Sequence, residues 1–164
     1  MNREEVLTYI MSFDPMKTKT LDLSNKELES IPTEIGRFQN LQSLDVSYNE
    51  LTSLPTEICR LTKLKTLYAF KNKITQFPAG FGKLRNLQFL DLSYNEISEI
   101  PPELKTFDRL EILDLSYNNL RRFPEELLNI PTLQKLYVEE NPLKKLPLKI
   151  AFGGLKSLKK YLNL

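Results

Sequence analysis

The stretch Leu110-Glu-Ile-Leu-Asp-Leu-Ser-Tyr-Asn118-Asn-Leu120 decides how this chain is read, because it recurs at an unvarying interval. Leu87-Gln-Phe-Leu-Asp-Leu-Ser-Tyr-Asn95-Glu-Ile97 lies 23 residues upstream. Leu64-Lys-Thr-Leu-Tyr-Ala-Phe-Lys-Asn72-Lys-Ile74 and Leu41-Gln-Ser-Leu-Asp-Val-Ser-Tyr-Asn49-Glu-Leu51 precede it at the same spacing. Self-similarity at a fixed period of roughly 20–50 residues marks units that cannot bury their apolar face alone and must stack on one another. Counted from the first leucine, six such units begin at Thr18, Leu41, Leu64, Leu87, Leu110 and Leu133.

Within a unit, positions 4 and 6 alternate with polar neighbours, which predicts a short strand with Leu21 and Leu23, or Leu90 and Leu92, turned inward. Positions 11, 14 and 18, such as Leu51, Leu54 and Ile58, supply apolar residues for the opposite, convex side. Position 15 is proline in every unit, Pro32, Pro55, Pro78, Pro101, Pro124 and Pro147, and marks the passage from the strand half to the convex half. Position 9 is Asn49, Asn72, Asn95, Asn118 and Asn141, structural residues whose amides suit backbone groups that lack a ladder partner. The first unit departs, with Thr18 and Lys26 at the first Leu and Asn positions, as befits an end with a missing neighbour.

The ends of a stack expose apolar layers and need caps. Residues 1–17 read as an N-terminal helical cap: Asn2 and Glu5 form a capping-box pattern, Val6, Leu7, Ile10 and Met11 share one face, and Asp14-Pro15 stops the helix. Residues 18–152 hold the six repeats, and residues 153–164 read as a C-terminal cap with Leu155, Leu158 and Leu162 at helical spacing. The expectation is one α/β domain: a solenoid with a parallel sheet on its concave face and loops or short 3-10 or α turns on its convex face.

Composition narrows the chemistry. The 164 residues include no histidine, which removes the commonest nucleophilic pairs and zinc ligands. The single cysteine, Cys59, cannot close an internal disulfide, so the disulfide-capped extracellular repeat class is set aside. Nucleotide-cradling, zinc-protease and serine-elbow motifs are all missing. The expectation is therefore no catalytic residue, no cofactor and no metal site. No run reaches the roughly 18 apolar residues of a membrane span. The opening Met1-Asn-Arg-Glu-Glu-Val does not resemble an export signal, although a removed signal would look the same, so location stays open.

The pattern L-x-x-L-x-L-S-Y-N-x-L-x-x-L-P-x-E-I of Leu41 to Ile58 resembles the 23-residue leucine-rich repeats of bacterial proteins, particularly small spirochaete ones, over about residues 18–150. Similar repeats occur in Ras-interacting plant and animal proteins. The resemblance implies a right-handed arc that binds other macromolecules on its concave face.

Positions 3, 5, 7 and 8 read as that face. Position 5 is mostly Asp, and Asp91 and Asp114 sit on adjacent strands, either as a row for a basic partner or divalent cation or as plain solvated residues. The third unit breaks the pattern: Tyr68, Phe70 and Lys71 replace Asp, Ser and Tyr, with Phe89 and Ile112 on the next two strands and Tyr94 and Tyr117 beside them. These predict an exposed apolar patch and a partner-binding site. Arg121, Arg122, Lys144 and Lys145 form a second candidate, an anion-binding rim for phosphate or sulfated glycan. The Glu34, Glu57, Glu103 and Glu126 row is explained by helix N-termini, and Cys59 by packing.

The expected function is a non-enzymatic, monomeric protein-binding module using the concave face, with Tyr68, Phe70, Phe89 and Ile112 as anchors and Asp91 and Asp114 selecting basic groups. One alternative is a secreted or surface adhesin-like binder of host proteins or sulfated glycans through the basic rim. Another is a regulatory subunit or fragment of a larger signalling or enzyme assembly. Nucleic acid is not expected, because acids share the molecule and aromatics are not interleaved with the basic residues.

Overall fold

The computed structural model describes residues 3–123 and 125–144. Helix α1, Arg3–Met11, comes first, and six three-residue strands follow: β1 Thr20–Asp22, β2 Ser43–Asp45, β3 Thr66–Tyr68, β4 Phe89–Asp91, β5 Ile112–Asp114 and β6 Lys135–Tyr137. They form one parallel sheet in sequence order. Every strand pairs in the same register, so Leu21, Leu44, Leu67, Leu90, Leu113 and Leu136 form one inward row.

Short 3-10 turns, Thr33–Arg37, Thr56–Arg60, Phe81–Lys83, Pro102–Thr106 and Glu125–Asn129, complete the repeats on the convex side. The proline pattern explains their starts. The Pro32, Pro55 and Pro101 carbonyls accept from the amides of Ile35, Ile58 and Leu104 three residues on. In the third repeat Ala79 and Gly80 replace the usual residues after the proline, and the turn starts later, behind Gly80 at φ 82°. A side chain is disfavoured at that backbone angle, so glycine is the residue that fits.

Positions 4, 6, 11 and 18 fill the interior through the first five repeats, joined by position 21 residues Phe38, Leu61, Leu84, Phe107 and Ile130. Phe81 and Phe107 meet edge to face at 6.0 Å. Neighbouring 3-10 turns come close at Gly82, where an added Cβ would lie 2.8 Å from Thr106 Oγ1 and 2.9 Å from the Glu103 carbonyl. Gly82 thus lets successive turns stack.

The asparagines staple each repeat to the one before it. Asn95 Oδ1 accepts from the Ile74 amide at 2.9 Å, and its Nδ2 donates to the carbonyls of Ala69, Leu92 and Ser93. Asn49, Asn72, Asn118 and Asn141 repeat this arrangement. Lys26 is tolerated in the first repeat for that reason: helix α1, not a repeat, stands before it.

The N-terminal helix differs in detail from expectation. Val6 and Ile10, one turn apart, are buried, but Met11 is exposed and its Sδ accepts from Arg37 Nη1 at 3.2 Å. Its place about 100° round the helix from Ile10 takes it off the covered face. Asn2, Pro124, Pro147 and the C-terminal cap lie outside the described residues.

Candidate functional site

The parallel register turns sequence positions into rows on the concave face. Position 3 reads Thr20, Ser43, Thr66, Phe89, Ile112, Lys135, and position 5 reads Asp22, Asp45, Tyr68, Asp91, Asp114, Tyr137. Asp91 therefore stands directly between Tyr68 and Asp114. The rings of Tyr68 and Phe89 touch at 5.1 Å, and Phe70 packs edge-on against Tyr48 at 4.9 Å. Tyr68, Phe70, Phe89 and Ile112 are half-buried by such packing, rather than fully exposed as the substitutions suggested.

In the second, fourth and fifth repeats the serine at position 7 does not face solvent. Ser47, Ser93 and Ser116 are buried. Each donates its hydroxyl and its amide to Oδ1 of the aspartate two residues earlier, Asp45, Asp91 or Asp114. Ser24 and Asp22 do the same in the first repeat. The Asp row is thus part of the turn that ends each strand. The third repeat gives up this pair for Tyr68 and Phe70, and the sixth gives it up for Tyr137 and Glu139.

Position 8 carries a backbone cost. Tyr48, Lys71, Tyr94, Tyr117 and Glu140 all have φ between 52° and 54°. The left-handed region is unfavourable by roughly 1–2 kcal/mol for a residue with a bulky Cβ substituent, and asparagine, as at Asn25, is the cheaper occupant. Tyrosine there is exposed: Tyr94 and Tyr117 stack face to face at 4.1 Å, and Lys71 Nζ lies 4.6 Å from the Tyr48 ring centre and 5.6 Å from that of Tyr94. A cation held over two rings is a cation–π bridge that joins the second and fourth repeats.

Electrostatics differ along the Asp row. Burial pushes the Asp91 carboxyl up; the Ser93 hydrogen bonds oppose this, while the Asp114 and Asp45 charges add to it. Burial also raises Glu139, with Asp114 adding to it. At Asp22 the Ser24 hydrogen bonds dominate and lower the carboxyl. Among the described residues no group of three or more Cys, Asp or Glu side chains is placed to hold a metal ion.

Arg121, Arg122 and Lys144 are exposed on neighbouring repeats, linked by the Lys144 amide donating to the Arg121 carbonyl at 3.2 Å; Lys145 lies outside the described residues. Cys59 is buried, its thiol raised first of all by burial, with Sγ 3.6 Å from the Ala79 carbonyl. The sixth repeat departs from Asp and Ser at the same two positions as the third, and sets Tyr137 and Glu139 beside Asp114.

Two family models match, a leucine-rich repeat region over residues 14–93 and a leucine rich repeat over residues 85–143. The chain is a leucine-rich-repeat protein. A search of curated proteins gives no match. Among solved structures, an internalin of Listeria monocytogenes is similar at 25% identity and TM-score 0.70, over 84% of this chain and 39% of that one. A leucine-rich-repeat protein of Leptospira interrogans is similar at 27% identity and TM-score 0.59, over 89% of this chain and 48% of its own. The ectodomain of an Arabidopsis thaliana membrane receptor kinase, solved in complex with CASPARIAN STRIP INTEGRITY FACTOR 2, is similar at 30% identity and TM-score 0.69, over 75% of this chain and 15% of that chain. The chain spans less than half the length of each. Leucine-rich-repeat domains generally mediate protein–protein interaction and are typically non-enzymatic scaffolds. Among the described residues no helix is long and apolar enough to cross a membrane.

Proposed function

We propose that this leucine-rich-repeat chain binds a protein partner on its concave face, with Tyr68, Phe70, Phe89 and Ile112 as apolar anchors and Asp91 and Asp114 receiving basic groups. One observation carries the reading. Repeats 1, 2, 4 and 5 all close their strand with a hydrogen-bonded Asp–Ser pair, and the third replaces both residues with aromatics at the middle of the sheet. Losing two stabilising hydrogen bonds to display two rings on a solvent face is hard to explain by folding alone. It makes sense where aromatic side chains supply contact energy. The adjacent carboxylates, the Asp91 charge being disfavoured by burial, gain from a cation brought by a partner. Tyr94 and Tyr117, exposed and stacked, border the same surface.

The test is to capture a partner with the wild-type chain and measure its affinity for the Tyr68→Ala/Phe70→Ala variant by calorimetry. Both rings are half-buried at the surface, so the variant should keep its circular dichroism spectrum. Binding should weaken by more than about 2 kcal/mol if the pair is a hot spot. Unchanged affinity in a folded variant refutes the site.

A further inference from the structure

We infer a second binding surface, separate from the concave face: a strip of exposed cations along the edge that leads into the strands, suited to a linear sulfated polysaccharide. In the first three repeats the segments running from each 3-10 turn into the next strand are residues 36–43, 59–66 and 82–89, and none contains an Asp or a Glu. They carry Arg37, Arg60, Lys63, Lys65, Lys83 and Arg85, all exposed. Among the described residues none of the six makes an ion pair; the two pairs present are Lys17 with Asp14 and Lys73 with Glu50.

The segments stack as a continuous edge. Lys63 Nζ donates to Asn40 Oδ1 of the preceding repeat at 2.6 Å, Asn86 Nδ2 to the Thr62 carbonyl at 2.7 Å, and the Lys65 amide to the Gln42 carbonyl at 2.8 Å. Equivalent positions therefore recur about 4.8 Å apart where the strands begin. The strip stops at the fourth repeat, where Asp108 and Glu111 stand beside Lys105 and Arg109. Across the molecule, the edge that follows the strands carries, through the first four repeats, the exposed Glu27, Glu29, Glu50, Glu96 and Glu99 against Lys26 and Lys73. Through the first four repeats charge is thus segregated by edge, and the following edge turns basic only beyond them, at Arg121, Arg122 and Lys144, a pattern that the formal net charge of +2 conceals.

Magnitudes choose among anionic partners. A second copy laying its acidic edge on this strip would gain only exposed ion pairs, each worth about 0–1 kcal/mol. A polyanion with a condensed counterion atmosphere gains more, because every neutralised charge releases counterions. Single-stranded nucleic acid would want aromatic platforms for its bases, but Phe38 and Phe81 on this edge are fully buried. A membrane surface would want exposed apolar side chains all along the cations, and only Met11 and Met16, at the N-terminal end beside Arg37 and Asn40, are large exposed apolar side chains next to the strip. A duplex is broad, presenting phosphates across two grooves, and would reach the Glu34, Glu57 and Glu103 row that flanks the strip on the convex side. A slender sulfated chain stays within the strip, where arginines can form paired hydrogen bonds to its oxyanions.

The experiment measures the full chain on immobilised heparin, alongside two folded triple variants that remove the same charge. Arg60→Ser/Lys63→Ser/Arg85→Ser should weaken binding at least ~10-fold, whereas Arg121→Ser/Arg122→Ser/Lys144→Ser on the opposite side should change it less than ~3-fold, since contacts to the polyanion and not net charge set the affinity. Raising salt from about 50 to 200 mM should cut wild-type binding at least ~10-fold. Equal losses in the two variants, or full binding by the first, overturn the proposal. Tighter binding to a DNA duplex or to phosphatidylserine vesicles than to heparin at the same salt overturns the assignment to a sulfated glycan.

Discussion

Replacing Asn95 with alanine tests the staple that joins the third and fourth repeats. The side chain makes one bond as acceptor, from the Ile74 amide at 2.9 Å, and three as donor, to the carbonyls of Ala69, Leu92 and Ser93 at 2.9, 3.0 and 3.2 Å. The losses are unequal. Ala69 O keeps Asn72 Nδ2 at 3.1 Å, Leu92 O keeps Asn118 Nδ2 at 2.8 Å, and Ser93 O keeps the Lys71 backbone amide at 3.0 Å. The Ile74 amide hydrogen alone is left in the interior with no acceptor. A buried unsatisfied donor costs about 1–3 kcal/mol, and the forfeited donor bonds add about 0.5–1.5 kcal/mol. The expected destabilisation is about 3 kcal/mol, which for a chain of this size lowers Tm by about 6–12 °C. Calorimetry reads the total, and hydrogen exchange reads its place: the Ile74 amide should lose protection while Leu51 and Ile97, held by Asn72 and Asn118, keep theirs. A Tm shift below about 2 °C, or an Ile74 amide as protected as before, would refute the orphaned-donor account.

Asp91→Asn retains an oxygen for the Ser93 hydroxyl and amide but removes a charge that burial disfavours. Because the folded carboxyl is raised above 3.8, its ionised form costs stability above the folded pKa, and that cost fades as pH falls through it. The variant should melt higher than the parent at pH 7, and the gap should close as pH approaches 3.8; a lower Tm at pH 7 would contradict this. Gly82→Ala would set a methyl against Thr106 Oγ1 and the Glu103 carbonyl, forcing successive 3-10 turns apart at about 1–3 kcal/mol, and an unchanged melting curve would show that they separate freely. Tyr117→Asn should leave stability within about 1 kcal/mol, since relief of the left-handed backbone offsets the lost stack on Tyr94; a larger loss would make the tyrosine row structural.

Much of the architecture was legible because a solenoid repeats its physics. Leu44, Leu67, Leu90 and Leu113 occupy one position of the repeat and one row of the interior, so the period alone predicted which residues would meet. Contacts that depend on backbone geometry were not legible. Alternation predicted that Ser93 would face solvent, but the strand ends two residues earlier at Asp91, and the chain turns so that the hydroxyl folds under the carboxylate. Met11 was misplaced because a helix of nine residues, about two and a half turns, leaves its last residue about 100° from Ile10 and off the covered face. The basic edge was not legible because its residues are scattered through the linear sequence and gather only when the repeats stack, whereas Arg121-Arg122 and Lys144-Lys145 are adjacent in the chain.

The two surfaces differ in how much of the repeat they sacrifice. Arg37, Arg60 and Lys83 occupy the exposed ends of the 3-10 turns, where charge costs the fold little and repetition is cheap. Tyr68 and Phe70 displace an Asp–Ser pair that four other repeats keep, and Tyr48, Tyr94 and Tyr117 accept a backbone angle better suited to asparagine. A residue that works against the local preference of its position requires a compensating gain. The Tyr94–Tyr117 stack and the Lys71 bridge return part of that cost within the fold. The remainder falls on the central aromatic residues, so the concave face is where selection for binding, rather than for stability, should be sought first.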